Sequence, residues 1–229
     1  MLEAAAAALQ AELGDLDAAW LDPGRKQRLL KLPLAAVQRL LSDYRTRTGS
    51  EATIFYTAVM WAKENGASKA HRRALGECVR LPHVPSTYLG TVVGGDAGML
   101  LGIDSQGVSC ALAYAAAKPQ VKERMQQVMR LPGSQRAAWW LPKRPESSVS
   151  EVVVEWQVPL ERLRSLYEAA AAGTFAREEM PDTDAKVLHG VEWSLFLKVC
   201  GKKGMATMGA FVNAKGPPGP KGGFITAGS

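Results

Sequence analysis

The sequence predicts a mainly α chain with a C-terminal β region, an α+β arrangement. A helical bundle precedes an incomplete antiparallel segment of sandwich-like character. Two observations carry the prediction. Up to about Leu141 the apolar residues recur at helical spacing, whereas from Glu151 onward they alternate with polar ones. Between the two regimes, Pro132, Gly133, Pro142 and Pro145 break any regular element. The expected division is a helical domain over 1–140, a linker over 141–150 and a partial β-rich domain over 151–229.

Taken in order, residues 3–13 form an alanine-rich helix broken by Gly14, and a short helical piece follows to Trp20. Asp22-Pro23-Gly24 is expected to turn the chain into a helical turn over 25–31. Pro33 suits the first position of the next helix, which runs to Leu41, because its missing N–H would have no partner there. Ser50 caps a longer helix, and Glu51 sets a negative charge against the positive end of that helix's dipole. Within it, Ile54, Ala58 and Trp61 and then Phe55, Val59 and Ala62 form two adjoining stripes, hence a wide buried face. Asn65-Gly66 ends it.

Further short helices are expected over 68–80, 85–93, 106–117 and 119–130, with Leu81-Pro82 and Gly94-Gly95 as breaks. In the last, Val121, Met125 and Val128 should face inward. Trp139-Trp140 anchors the linker. Val152, Val154, Trp156 and Val158 then predict a strand stopped by Pro159. Leu160, Leu163 and Tyr167 predict a helix closed by Gly173. Residues 191–199 and 205–212 form a hairpin around Gly201-Lys202-Lys203-Gly204. Gly216-Pro217-Pro218-Gly219-Pro220 reads as a loop, and Phe224-Ile225 as the start of a further strand.

Composition narrows the class of protein. Among 229 residues, 47% are apolar and 22% charged, which suffices for a packed core, and the net charge of +6 is spread along the chain. Cys78, Cys110 and Cys200 form no C-x-x-C pair, so a reducing compartment and small buried apolar roles are expected for them. With neither a secretion-signal pattern nor a membrane-length apolar run, the expected location is cytoplasm or nucleus.

One series of residues carries more than pattern. Leu29-Leu30-Lys31-Leu32-Pro33-Leu34, Leu40-Leu41-Ser42-Asp43, Ser50-Glu51-Ala52-Thr53-Ile54-Phe55 and Val59-Met60-Trp61-Ala62 follow one another at fixed spacing, and Val79-Arg80-Leu81-Pro82 and Tyr88-Leu89 come after. The series resembles the signature of BACK domains, in the plant and algal type of BTB-BACK (BTB/kelch-like) protein. By that resemblance Leu32, Pro33, Ser50, Glu51, Trp61, Arg80, Leu81 and Pro82 are structural positions. It also implies a non-enzymatic scaffold of a substrate adaptor for cullin-based ubiquitin ligases. The cullin would be held partly through a BTB domain and the substrate through the C-terminal region. No BTB domain precedes these residues and no kelch repeats follow, so the expectation is a piece of a longer adaptor with an unpaired sheet edge.

Other chemistries fit less well. Gly107-Val108-Ser109-Cys110-Ala111, with Asp182 or Asp184 and then His189, follows hydrolase order, but no strand precedes Gly107 to form the sharp turn the serine needs. Gly94-Gly95-Asp96 follows a helix instead of opening one and sets a carboxylate where phosphate would sit. His71, His83, His189 and Cys78 do not make a tetrahedral set. The expectation is therefore no catalytic, cofactor or metal site. The alternative function is single-stranded nucleic-acid binding by Lys198, Lys202, Lys203 and Lys215 around Phe211, for which the bland account is a solvated hairpin tip.

Overall fold

The computed structural model describes residues 2–129, 141–173, 175–202 and 205–217. It shows a helical N-terminal part followed by an antiparallel sheet, the α+β arrangement expected. Helices α1 (Leu2–Leu13), α2 (Leu16–Leu21), α3 (Pro23–Leu30) and α4 (Leu34–Ser42) precede α5 (Glu51–Glu64), against which α2 and α3 pack. Residues from Glu51 to Val59 are all buried, so this part of α5 is enclosed on all sides and not merely along two stripes, while Lys63 and Glu64 at its end are exposed. Trp20 meets Tyr56 edge-on at 4.9 Å and donates from Nε1 to Thr57 Oγ1 at 2.8 Å. The indole thus buries its ring without stranding its one donor.

Caps differ in detail from expectation. Asp22 does not form a turn. Its carboxylate accepts the Arg25 N–H at 2.8 Å and caps α3, and Pro23 takes the first helical position. Pro33 is the cap of α4, with extended backbone, one residue ahead of the position expected for it. Gly66, at φ +54°, follows α5 as expected.

Helix α6 (Lys69–Gly76) stops short of Arg80; its last residue, Gly76, lies against Leu101, where a Cβ would come within 2.3 Å of the Leu101 carbonyl oxygen. A 3₁₀ turn over Leu81–His83 leads into α7 (Ser86–Tyr88) and a π-helical turn over Leu89–Val93. The expected stop at Gly94-Gly95 is followed directly by an unforeseen helix, α8 (Asp96–Leu100). Helices α9 (Ser105–Ala116) and α10 (Pro119–Met129) follow. Only part of the apolar set expected on α10 packs inward: Met125 touches the core, while Val121 and Val128 are 48% and 61% exposed. Trp139, Trp140, Phe224, Ile225 and Lys203 lie outside the described residues.

The segment 152–158 keeps its period-two burial, yet it joins no ladder and is not a strand. The pattern was legible, but alternation alone supplies no hydrogen-bonding neighbour. Helix α11 (Leu160–Ala171) follows it, with Gly173 at φ +85° just beyond. The inward residues of α11 are Leu166 and Ala170, while Leu160 and Tyr167 are exposed.

The sheet contains β1 (Ala176–Glu179), β2 (Lys186–Leu188), β3 (Val191–Lys202) and β4 (Met205–Lys215), of which β1 and β2 were not foreseen. One edge of β3 pairs with β1 near its C-terminal end and with β2 near its start, and the other pairs with β4 as far as Lys202 opposite Met205. Among the described residues the outer edge of β4 meets no strand. Helix α11 covers one end of the sheet, where Leu166, Ala170 and Val199 are buried together.

Candidate functional site

The buried polar groups gather where the helical bundle meets the sheet and the segment leading to it. Three carboxylates organise this seam. Asp17 sits on α2 among Leu16, Ala19 and Trp20 and is fully buried. Its Oδ1 accepts the Thr53 hydroxyl at 2.7 Å and the His189 N–H at 3.1 Å, and its Oδ2 accepts the Gly49 N–H at 2.6 Å and the Thr48 hydroxyl at 3.3 Å. One carboxylate thereby ties α2 to α5, to the loop before α5 and to the β2–β3 turn, which a buried carboxylate requires to be tolerated at all.

That turn is built to approach closely. His189 and Gly190 have φ +55° and +74°, and a Cβ on Gly190 would fall 2.3 Å from the Ala52 backbone. The Gly190 carbonyl accepts the Tyr88 hydroxyl at 2.8 Å. Burial raises the Tyr88 phenol above its ordinary value, so it stays a donor. Val187 of β2 completes the contact by joining the main core.

Glu51 is the second carboxylate; it stands in the first turn of α5 as expected, and it has a further role. The side chain turns inward. It accepts the Arg80 N–H at 2.8 Å and pairs with Arg144 at 3.1 Å. Burial pushes the Glu51 carboxyl above its ordinary range, and Arg144 and the Arg80 N–H pull it back. Arg144 also donates to the carbonyls of Asp43, Leu41 and Cys78. A planar fork of five donors suits such a dense set of acceptors.

Asp15, the cap of α2, is the third. It accepts the Ser147 hydroxyl at 2.6 Å, and from Ser148 both the N–H at 2.8 Å and the hydroxyl at 2.7 Å. Burial opposes its charge, but these hydrogen bonds and that from Ala18 outweigh it and hold the carboxyl low. Residues 144–148 are thus fastened across α2 and the loop before α5, and the Thr48 N–H donates to the Pro145 carbonyl at 3.0 Å.

Of the residues singled out in the sequence, Trp61 is buried and donates from Nε1 to the Leu32 carbonyl at 2.9 Å, so the two meet directly. Ser50 caps α5 through the Ala52 N–H. Arg80 and Leu81 are buried, and Pro82 lies in the 3₁₀ turn after them. Asp17 and Arg144 were not singled out. Asp17 had left a trace as a charge on an apolar helix face, whereas Arg144 in a proline-rich stretch had left none.

The competing motifs are dispersed. Ser109 lies within α9, His189 donates its N–H to Asp17, and Asp184 accepts the Thr183 hydroxyl. Asp96 opens α8. Among the described residues no cluster of His, Cys, Asp and Glu could hold a metal ion. Cys78 and Cys110 are part-buried, but Cys200 is exposed, contrary to the buried role expected of it. Burial pushes the Cys78 thiol up to about 11. On the sheet, Phe196 stacks on Phe211 at 5.1 Å, Arg177 lies over Phe196 at 4.1 Å, and Lys198 lies over Phe175 at 5.2 Å. Cations of the chain thus lie over Phe196 and Phe175, and Phe211, the ring named in the alternative reading, stacks on Phe196. No described helix is long and apolar enough to cross a membrane.

Residues 24–94 match the family model of BACK, described as BTB And C-terminal Kelch. No curated protein and no solved structure matches the chain. The matched segment runs from the start of α3 to the end of the π-helical turn and includes Glu51, Trp61 and Arg80. The chain is thus similar to the BACK family over this segment, which forms the middle of its helical part.

Proposed function

We propose that the chain is a non-enzymatic protein–protein interaction scaffold that presents its sheet to partners at a fixed angle from the helical bundle. The seam carries this reading. Asp17 and Gly190 fix the β2–β3 turn, and Arg144, Ser147 and Ser148 fix the segment leading to α11. The proposed units are the helical residues 1–140, the strap 141–150 and the β region 151–229. Leu32, Pro33, Ser50, Glu51, Trp61, Arg80, Leu81 and Pro82 serve the framework.

The finer reading is a substrate adaptor of a cullin-based ubiquitin ligase, acting in cytoplasm or nucleus. It rests on the BACK match alone. Co-precipitation of a recombinant cullin N-terminal region tests it, with the chain presented alone and fused behind a BTB domain. Capture that is stronger for the fusion than for the BTB domain by itself supports the adaptor role. Equal capture by the fusion and the lone BTB domain would remove it and leave the scaffold.

A further inference from the structure

Beside the seam, on the outer side of the strap, lies an open groove of about 920 Å³. Its wall carries Arg39, Arg45, Arg80, Lys143 and Arg144, against one lining carboxylate, Asp43. Asp43 is engaged by Arg45 at 2.8 Å, Lys143 pairs with Glu146, and Arg144 pairs with Glu51. Five cations thus face three carboxylates, so two positive charges have no carboxylate of their own among the described residues.

The excess can be located. Arg39 is exposed on α4 and pairs with no carboxylate among the described residues. Arg80 is only 2% exposed, shares Glu51 with the better-placed Arg144, and has no partner for its Nε among the described residues. A buried guanidinium without its own counter-ion is costly, and an anion in the groove would offset that cost. Apolar surface lies alongside the charge, since Tyr44 is 75% exposed and Leu141 40%. Arg45 lies over the Tyr44 ring at 5.9 Å.

The geometry points to a docking groove for an acidic peptide segment of a partner protein, whose carboxylates would meet Arg39, with Arg45 beside it and Arg80 adding to the positive field, while a neighbouring apolar side chain packs on Tyr44 and Leu141. Guanidinium clusters bind carboxylates through paired, planar hydrogen bonds. A short cluster with a proline and tyrosine rim fits a peptide better than a nucleic-acid backbone, which needs cations repeated along its path. The groove is argued from its own charges and not from the adaptor role, so peptide binding and cullin capture are read separately and can fail independently.

The test is fluorescence anisotropy of the full chain with a labelled peptide in which glutamates flank a Leu-Leu pair. Controls are the same peptide with glutamine for glutamate and a labelled oligothymidine. The acidic peptide should bind at least about tenfold more tightly than its glutamine form, and Arg39→Ala with Arg45→Ala should weaken it about tenfold, or ~1.4 kcal/mol. Lys31→Ala, an exposed charge lost elsewhere, should leave binding unchanged. Absent binding, equal binding of the glutamine peptide, an equal loss in Lys31→Ala, or tighter binding of oligothymidine would each overturn the proposal.

Discussion

Glu51 and Arg144 lie 93 residues apart in sequence and meet at 3.1 Å, with side chains only 2% and 1% exposed. The pair pins the strap to the first turn of the central helix. Removing one member of a buried pair leaves the other charged and desolvated.

Arg144→Met should therefore lower stability by about 3–5 kcal/mol, read as a lower urea midpoint. Glu51→Gln combined with Arg144→Met should cost clearly less than the two single changes added together. Strict additivity would mean that the two residues do not act as a pair.

Asp17 accepts from four donors on three separate segments. Asp17→Ala leaves the Thr53 hydroxyl and the Gly49 and His189 N–H groups without this acceptor, while Thr48 keeps the Ser50 carbonyl, at about 1–3 kcal/mol for each group not rescued by water. Amide hydrogen exchange gives a local readout. The His189 N–H should lose protection well before the centre of α5 does.

Gly190 and Gly173 both have positive φ, but only Gly190 is crowded, with the Ala52 backbone 2.3 Å from where a Cβ would stand. Gly173→Ala should cost about 1–2 kcal/mol from backbone strain alone. Gly190→Ala should cost more, because the β2–β3 turn must also withdraw from α5. Thermal unfolding of the two variants side by side separates strain from collision.

The Arg45 hydrogen bonds hold the Asp43 carboxyl down at about 2, against an ordinary value of 3.8. A carboxyl lowered in the folded chain stabilises it above the ordinary value, and that contribution is lost as pH falls toward 2. Carboxyl-carbon NMR should show Asp43 titrating near 2. Arg45→Ala should return the midpoint toward the ordinary aspartate range.

Much of the helical part was legible because its signals are local. The Ser50 cap and the Asn65-Gly66 stop set the ends of α5 through their own backbone preferences. The hairpin of β3 and β4 was legible for a similar reason, since its two strands are neighbours in sequence. The short strands β1 and β2 were missed: Ala176–Glu179 and Lys186–Leu188 are too brief to show a period, and they become strands only because β3 offers its edge. Residues 152–158 err in the opposite direction, having the period without the neighbour.

By itself, then, the sequence determined the helical and β regimes, the BACK resemblance and the ends of several helices, because these depend on residues a few positions apart. Only the tertiary structure decided what the buried charges do. Glu51 could be read as a helix-end charge until Arg144 was seen beside it, and Asp17 had no visible partner until His189 and Thr53 converged on it. A buried carboxylate is tolerated only where donors from distant segments meet it, and such a meeting exists only once the chain has folded.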